Sequence, residues 1–229
     1  EEINGEATIT RADGTKETAT LGTPIFQGDV VETTAEGGVN IVFLDETSMA
    51  ISENARFAVD DYTFDPATES GTTDFSVLRG VFVFTSGLIG RDDPDDVNID
   101  TPVGSIGIRG TIIAGKIDVG GESQITVVEG AIIVRNGSGE HTLAKQFESL
   151  KIAGFNDNIQ ELGVLEPQDV SAAYKSASYV VPSLFSSIND MAKDNAGDAA
   201  DDGEGQDNLD AAPEEELDVK TDEDISAEE

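Results

Sequence analysis

The sequence predicts an all-β body followed by one or two short amphipathic helices and an acidic tail. From Ala7 to about Ile152, short β-branched and aromatic runs are separated by Gly, Asp or Asn turns, the signature of many short strands. After Pro167, Val170, Ala173, Tyr174, Ala177, Val181, Leu184, Phe185, Ile188 and Met191 recur three or four residues apart, which is helical spacing. From Asp194 the chain is mostly Asp, Glu, Gly, Ala and Asn, too poor in large apolar groups to offset its ordering entropy. These changes divide the chain into a β domain over 1–152, a helical extension over 153–193 packed on it, and a disordered acidic tail or linker over 194–229.

Strands are expected at 7–11, 28–33, 39–44, 48–51, 56–64, 72–85, 97–100, 105–108, 111–119, 124–128, 131–135 and 141–143. Phe57 and Val59 alternate with polar neighbours, and so do Tyr62 and Phe64, but the phase slips at Asp60-Asp61. Such a slip reads as a bulge or corner. Residues 77–87 echo 127–137, each as a strand, a glycine (Gly80 or Gly130) and a strand. The echo fits either a solenoid-like stack or similar corners in one sandwich. In the helical stretch, Pro182 ends one helix and suits the first turn of a second, and the apolar stripe is expected to cover the β-body.

Charge narrows the partners. Residues 1–189 carry 30 acids against 11 bases, a net of -19, and residues 190–229 add 17 acids against two lysines. A surface of this sign repels phosphates, so nucleic acid is set aside. Cysteine is absent, which removes disulfides, thiolate metal sites and Cys nucleophiles together. No apolar run approaches the roughly 20 residues of a membrane-spanning helix, so no direct membrane insertion is expected from this chain. It begins Glu1-Glu2-Ile3 with no initiating Met, which leaves room for a signal peptide or another domain upstream.

Catalytic readings are weak. The only histidine is His141, beside a Gly-rich turn, and no Ser/His/Asp arrangement is legible. Among 47 acids a coincidental carboxylate pair is nearly certain, so an acid-pair carbohydrate-active enzyme ranks below the binding readings. The acidic loop Asp92, Asp93, Asp95 and Asp96 is a weak calcium candidate, lacking the alternating ligands and central Gly of a helix-loop-helix site. No cofactor is expected.

The most distinctive segment is Thr101 to Thr111, TPVGSIGIRGT. Pro102 fixes an extended entry to a strand, while Gly104, Gly107 and Gly110 permit tight corners or close backbone approach. Arg109 is one of few bases in an acidic body, and facing inward it would need carboxylate or carbonyl partners. It is therefore expected to staple neighbouring turns.

Taken in order, the motifs match a known pattern. A Gly-Asp pair precedes a strand (Gly28, Asp29), and an apolar strand enters an acidic turn (Val39 to Leu44, then Asp45-Glu46-Thr47). A Leu-Arg-Gly corner ends in Gly80; then come Thr101-Pro102, Arg109-Gly110-Thr111 and a strand-Glu129-Gly130-strand. In these the chain resembles the FecR-type domain over roughly residues 5–152. The resemblance implies a bacterial cell-envelope β-domain, periplasmic or extracellular, which in founding members relays occupancy of an outer-membrane siderophore receptor to an anti-sigma system. These residues display neither a sigma-binding segment nor a membrane helix. The first expectation is thus a non-catalytic envelope or surface module that binds a protein or glycan partner or serves as scaffold. The alternative is an iron-responsive signalling component.

Overall fold

The structure, a computed structural model, describes residues 2–89 and 96–201. Asp92, Asp93 and Asp95 of the acidic loop, and tail residues 202–229, lie outside the described residues. Among the described residues fourteen strands run in chain order: β1 Glu2–Asn4, β2 Ala7–Thr10, β3 Lys16–Thr18, β4 Val30–Thr33, β5 Gly38–Val42, β6 Ser48–Ile51, β7 Arg56–Asp65 and β8 Ser70–Thr85. They continue with β9 Val97–Thr101, β10 Gly104–Ile117, β11 Ser123–Asn136, β12 Gly139–Leu143, β13 Glu148–Ile152 and β14 Gln160–Val164. Helix α1 (Pro167–Ala173), a 3-10 turn (Lys175–Tyr179) and helix α2 (Pro182–Asp201) follow.

The strands form one continuous sheet, antiparallel except where β8 runs parallel to β9. Its pairings sort into two halves. In the first, β3, β2, β4 and β7 lead to residues 70–79 of β8, then to β9, the start of β10 and the end of β11 with β12. In the second, β1, β5 and β6 lead to residues 82–85 of β8, then to 112–117 of β10, 123–127 of β11, β13 and β14. Strands β8, β10 and β11 therefore belong to both halves. Each changes partner at a glycine of positive φ: Gly80 (+101°), Gly110 (+55°) and Gly130 (+85°).

Two of these corners show why glycine is required. A Cβ at Gly80 would stand 2.5 Å from the Ala55 Cα, and one at Gly130 would collide with the Gly110 carbonyl oxygen. The β10–β11 register shifts between Arg109 and Ile112, so Gly110 and Gly130 make a paired bulge. The strand-glycine-strand echo thus marks corners of a folded sheet; β8 is one bent strand, as expected over 72–85, while β10 and β11 are each single bent strands where separate short strands were expected at 105–108, 111–119, 124–128 and 131–135. The slip at Asp60 is also a bulge, since the β7–β8 register shifts between Val59 and Asp61.

The inner faces of both halves enclose one core. Alternation places Phe75 and Val77, Phe82 and Phe84, Ile106 and Ile108, Ile113 and Ile117, and Ile125 and Val127 inward and fully buried. Phe57 meets Phe75 edge-on with ring centroids 5.1 Å apart, a geometry that adds to area burial.

The outer face of the second half is a seat for the helices. Ala50, Val83, Ala114, Thr126 and Ser149 stand opposite one another across β6, β8, β10, β11 and β13, all buried. Tyr174 packs against this row of mostly small side chains and is fully buried. Its hydroxyl is 2.8 Å from Thr126 Oγ1, which is 2.7 Å from Ser149 Oγ. Val170, Ala177, Val180, Phe185 and Ile188 complete this second core. The apolar stripe therefore covers the β-body, with helices starting at Pro167 and Pro182.

The sheet continues past Ile152, because β14 adds to β13. Its exposed, polar residues carry little strand pattern, as suits an edge. Helix α2 also passes Asp194 to reach Asp201.

Replacing Tyr174 by Phe should cost about 1 kcal/mol of unfolding free energy in urea, the net worth of one hydrogen bond. Tyr174→Ala should cost about 3–5 kcal/mol through the cavity it leaves. Gly130→Ala should cost more than about 1 kcal/mol, because it combines positive φ with a steric collision; an unchanged midpoint would show that the bulge is not strained by a Cβ.

Candidate functional site

Most of the residues singled out from sequence build corners. Thr101, Pro102, Val103 and Gly104 make the β9–β10 turn, where Thr101 Oγ1 donates to the Gly104 carbonyl at 2.8 Å. Gly107 is buried between Asn98 of β9 and Ile133 of β11. Thr111 donates its N–H to Ser86 Oγ at 3.0 Å, and its hydroxyl reaches the Arg109 and Ala131 carbonyls at 2.9 and 2.8 Å. That hydroxyl ties the bend of β10 to β11. Gly80, Gly110, Glu129 and Gly130 sit at the same class of bend.

Arg109 corrects the expectation of a staple. Its side chain is exposed and forms no ion pair among the described residues. The bulge explains this, because register is lost between Arg109 and Ile112 and Arg109 points away from the core. Of the acidic loop, Asp96 is described; its carbonyl accepts the Thr73 N–H at 2.8 Å. No three His, Asp or Glu side chains cluster as a metal site among the described residues.

The cavity lies elsewhere, at the end of the body where the edges of the two halves approach. Its floor is core: Ile9, Val31, Val39, Ile41 and Val59, all buried. One wall is the loop 19–27, with Leu21, Pro24, Ile25 and Phe26. The other is β5 and its turn, with Val42, Phe43 and Leu44, closed by Tyr62. The space is about 500 Å³. Its rim is apolar and open, with Leu44 82% and Phe26 58% exposed and Leu21 and Val42 exposed beside them. Apolar surface concentrated on one cleft marks a binding site.

Each wall is held by a buried aspartate. Asp29, 2% exposed, accepts the Phe26 N–H at 2.8 Å and a hydrogen bond from the Arg11 guanidinium. Arg11 also donates to the Pro24 carbonyl at 2.9 Å, pairs with Glu17 and lies over the Phe26 ring. Together these contacts fold the loop over the core. Asp45, fully buried, takes the Thr47 hydroxyl at 2.6 Å, the Thr47 N–H at 3.2 Å and the Tyr62 hydroxyl at 3.0 Å. Its backbone carbonyl accepts the Leu88 N–H at 2.7 Å. The β5–β6 turn is thereby locked to the segment after β8, and Leu44 projects at its tip. Burial, with the Asp45 carboxyl group as acceptor beside it, pushes the Tyr62 phenol up to about 12, so it stays a neutral donor at physiological pH.

Asp29 and Asp45 belong to the motifs noted in the sequence, but only the structure brings them to one cleft. The available signal was the apolar run Leu21 to Phe26 in a loop flanked by the Gly28-Asp29 pair.

Asp45→Ala should lower unfolding free energy by at least about 2 kcal/mol, since buried donors lose their acceptor, and should speed amide exchange over residues 43–47. Arg109→Ala should change stability by less than about 0.5 kcal/mol, as for an ordinary surface site. Tyr62 gives an alkaline signature. Its folded pKa lies above the usual 10, so its contribution is full below pH 10 and is lost as pH rises towards 12. Tyr62→Phe should remove that step from the pH–stability profile.

Residues 29–133 match the family model described as FecR protein. Among solved structures, two crystal structures of an anti-sigma factor candidate from Parabacteroides distasonis ATCC 8503, at 1.65 and 2.50 Å, share the fold. Each is 12% identical with a TM-score of 0.50; the alignments cover 63% of this chain and 64% and 63% of the respective structures. The chain thus spans less than two thirds of their length, and the likeness is one of fold. No curated protein matches. The match begins at the buried aspartate of one cleft wall and ends just past the Gly130 corner, so it is over residues 29–133 that this chain is similar to the FecR family.

Proposed function

We propose that the chain is a signalling component of a sigma/anti-sigma system, and that it receives a protein partner at the cleft between loop 19–27 and β5. The observation that carries this reading is the coincidence of family and site. The two motif aspartates that the FecR match includes, Asp29 and Asp45, hold the two walls of one apolar cleft. A FecR-type domain is a regulatory module, and the fold shared with an anti-sigma factor candidate supports signalling over a scaffold or glycan-binding role. The same family implies an extracytoplasmic location, which suits a strongly acidic surface facing solvent.

The test is genetic. The chromosomal copy is replaced by a Phe26→Ser/Leu44→Glu variant, protein level is matched by immunoblot, and transcripts are measured. One sigma-dependent gene set should shift on the order of tenfold, a typical regulatory coupling. An unchanged transcriptome at matched protein level would overturn the signalling reading. Protease added to intact spheroplasts should digest the chain; protection would place it inside the cell and refute the extracytoplasmic assignment.

A further inference from the structure

A second concavity, a groove of about 600 Å³, opens at the Gly38 end of β5, away from the Leu44 tip of the cleft. One wall is the 3-10 turn of the helical cover. Side chains three apart eclipse in such a turn. Ala177 and Val180 accordingly share the buried side, while Ser176 and Tyr179 share the side that lines the groove. The facing wall is made of corners: Glu36 and Gly37 between β4 and β5, Glu53 between β6 and β7, and Asn4 and Gly5 at the end of β1. β1 runs towards the groove, with Asn4 at Gly38 and Glu2 farther off at Asn40, so the site does not turn on what precedes Glu2.

Tyr179 is 68% exposed, although the backbone that carries it is pinned. Its carbonyl accepts the Asn4 Nδ2 at 2.7 Å, and Ser176 Oγ in the same turn lies 3.0 Å from Ser52 Oγ. The ring is thus held at the groove instead of folding into the second core. The polar groups on offer are acceptors. Glu36 and Glu53 both line the groove, and neither carboxylate has a hydrogen bond or an ion pair among the described residues. The donors nearby are already in use, the Asn4 amide on the Tyr179 carbonyl and the Gly37 N–H on the Thr34 carbonyl at 3.0 Å. No Lys, Arg or His lines the space.

We propose that this groove takes an arginine side chain of a partner protein. A group that fits must bring donors and positive charge, because the groove supplies acceptors and negative charge. A cation over the face of a tyrosine ring is attracted by the ring's quadrupole. Arginine suits the site better than lysine, since its planar guanidinium stacks on an aromatic face and its fork of N–H groups meets a carboxylate with two bonds at once. The charge of the whole body acts in the same direction. With 30 acids against 11 bases over residues 1–189, it draws a cationic group in from a distance. The groove goes beyond the cleft reading, and neither site needs the other.

The probe is N-acetyl-arginine methylamide, titrated into the isotope-labelled full chain and followed by backbone amide shifts. Its neutral isostere, N-acetyl-citrulline methylamide, is the control. The arginine compound should saturate, with its largest shifts at Gly37, Gly38, Glu53 and Tyr179, and the citrulline compound should bind about tenfold more weakly, as expected when hydrogen bonds to a charged group are lost. Raising the ionic strength to about 1 M, where the screening length falls to about 3 Å, should weaken the arginine compound and leave citrulline unchanged. Tyr179→Ala should weaken arginine binding about fivefold with the melting temperature unchanged, because the ring is exposed. Should that variant be destabilised, Glu36→Gln/Glu53→Gln decides: it should erase the preference for arginine over citrulline. Equal binding of the two compounds, shifts centred elsewhere, a preference that survives the double Gln variant, or a titration that never saturates overturns the assignment. A transcript shift in the Phe26→Ser/Leu44→Glu strain with equal binding of the two compounds keeps the cleft reading and discards the groove; arginine-selective binding with no transcript shift keeps the groove and discards the signalling reading.

Discussion

Everything in this fold depends on three strands that each belong to two half-sheets. β8, β10 and β11 must bend sharply without leaving their backbone groups unpaired, because a buried unpaired N–H or C=O is costly. Glycine at positions 80, 110 and 130 supplies the bend, and Thr111 and Ser86 take up the backbone groups that the bend releases. Once these strands turn, the half-sheets face each other over one core. Their short strands, β1 with β5 and β2 with β3, are left at one end of the body. The cleft lies there, between loop 19–27 and β5.

The two buried aspartates show how a polar group can shape an apolar site. Asp29 is satisfied by Arg11 and a main-chain N–H, and Asp45 by two hydroxyls and the main-chain N–H groups of Thr47 and Ile89. Neither faces the cavity as a ligand. Each sets a turn, and the turn presents Phe26 or Leu44 to solvent. Keeping large apolar groups exposed costs free energy, on the order of 1.5–3 kcal/mol for a whole side chain that could have been buried. A partner that covers them recovers that amount.

Strand existence was legible over most of the body, because β-branched and aromatic residues alternate cleanly there. Edge strands were harder. β1 and β3 are three residues each, and β14 is polar and exposed, so their strand state comes from a neighbour's backbone and leaves little mark on side chains. Most of the helical stripe was legible, since Val170, Tyr174, Ala177, Phe185 and Ile188 are buried as their spacing suggests, but Met191 is exposed and Val180, outside the stripe, is buried. The seat beneath it was not, as Ala50, Val83, Ala114, Thr126 and Ser149 come from five strands. Arg109, one of few bases in an acidic body, was expected to face inward and staple turns; the bulge turns it outward.

By itself the sequence determined the strand-rich body, the helical cover, the acidic surface and the FecR motifs, all of which follow from local periodicity, composition and short-range order. The tertiary structure alone decided that one sheet bends into two halves at Gly80, Gly110 and Gly130, and that Asp29 and Asp45 hold opposite walls of one cleft. Those facts are pairings between residues far apart in the chain. No local pattern encodes them, because register across a sheet is settled only when every strand competes for the same core.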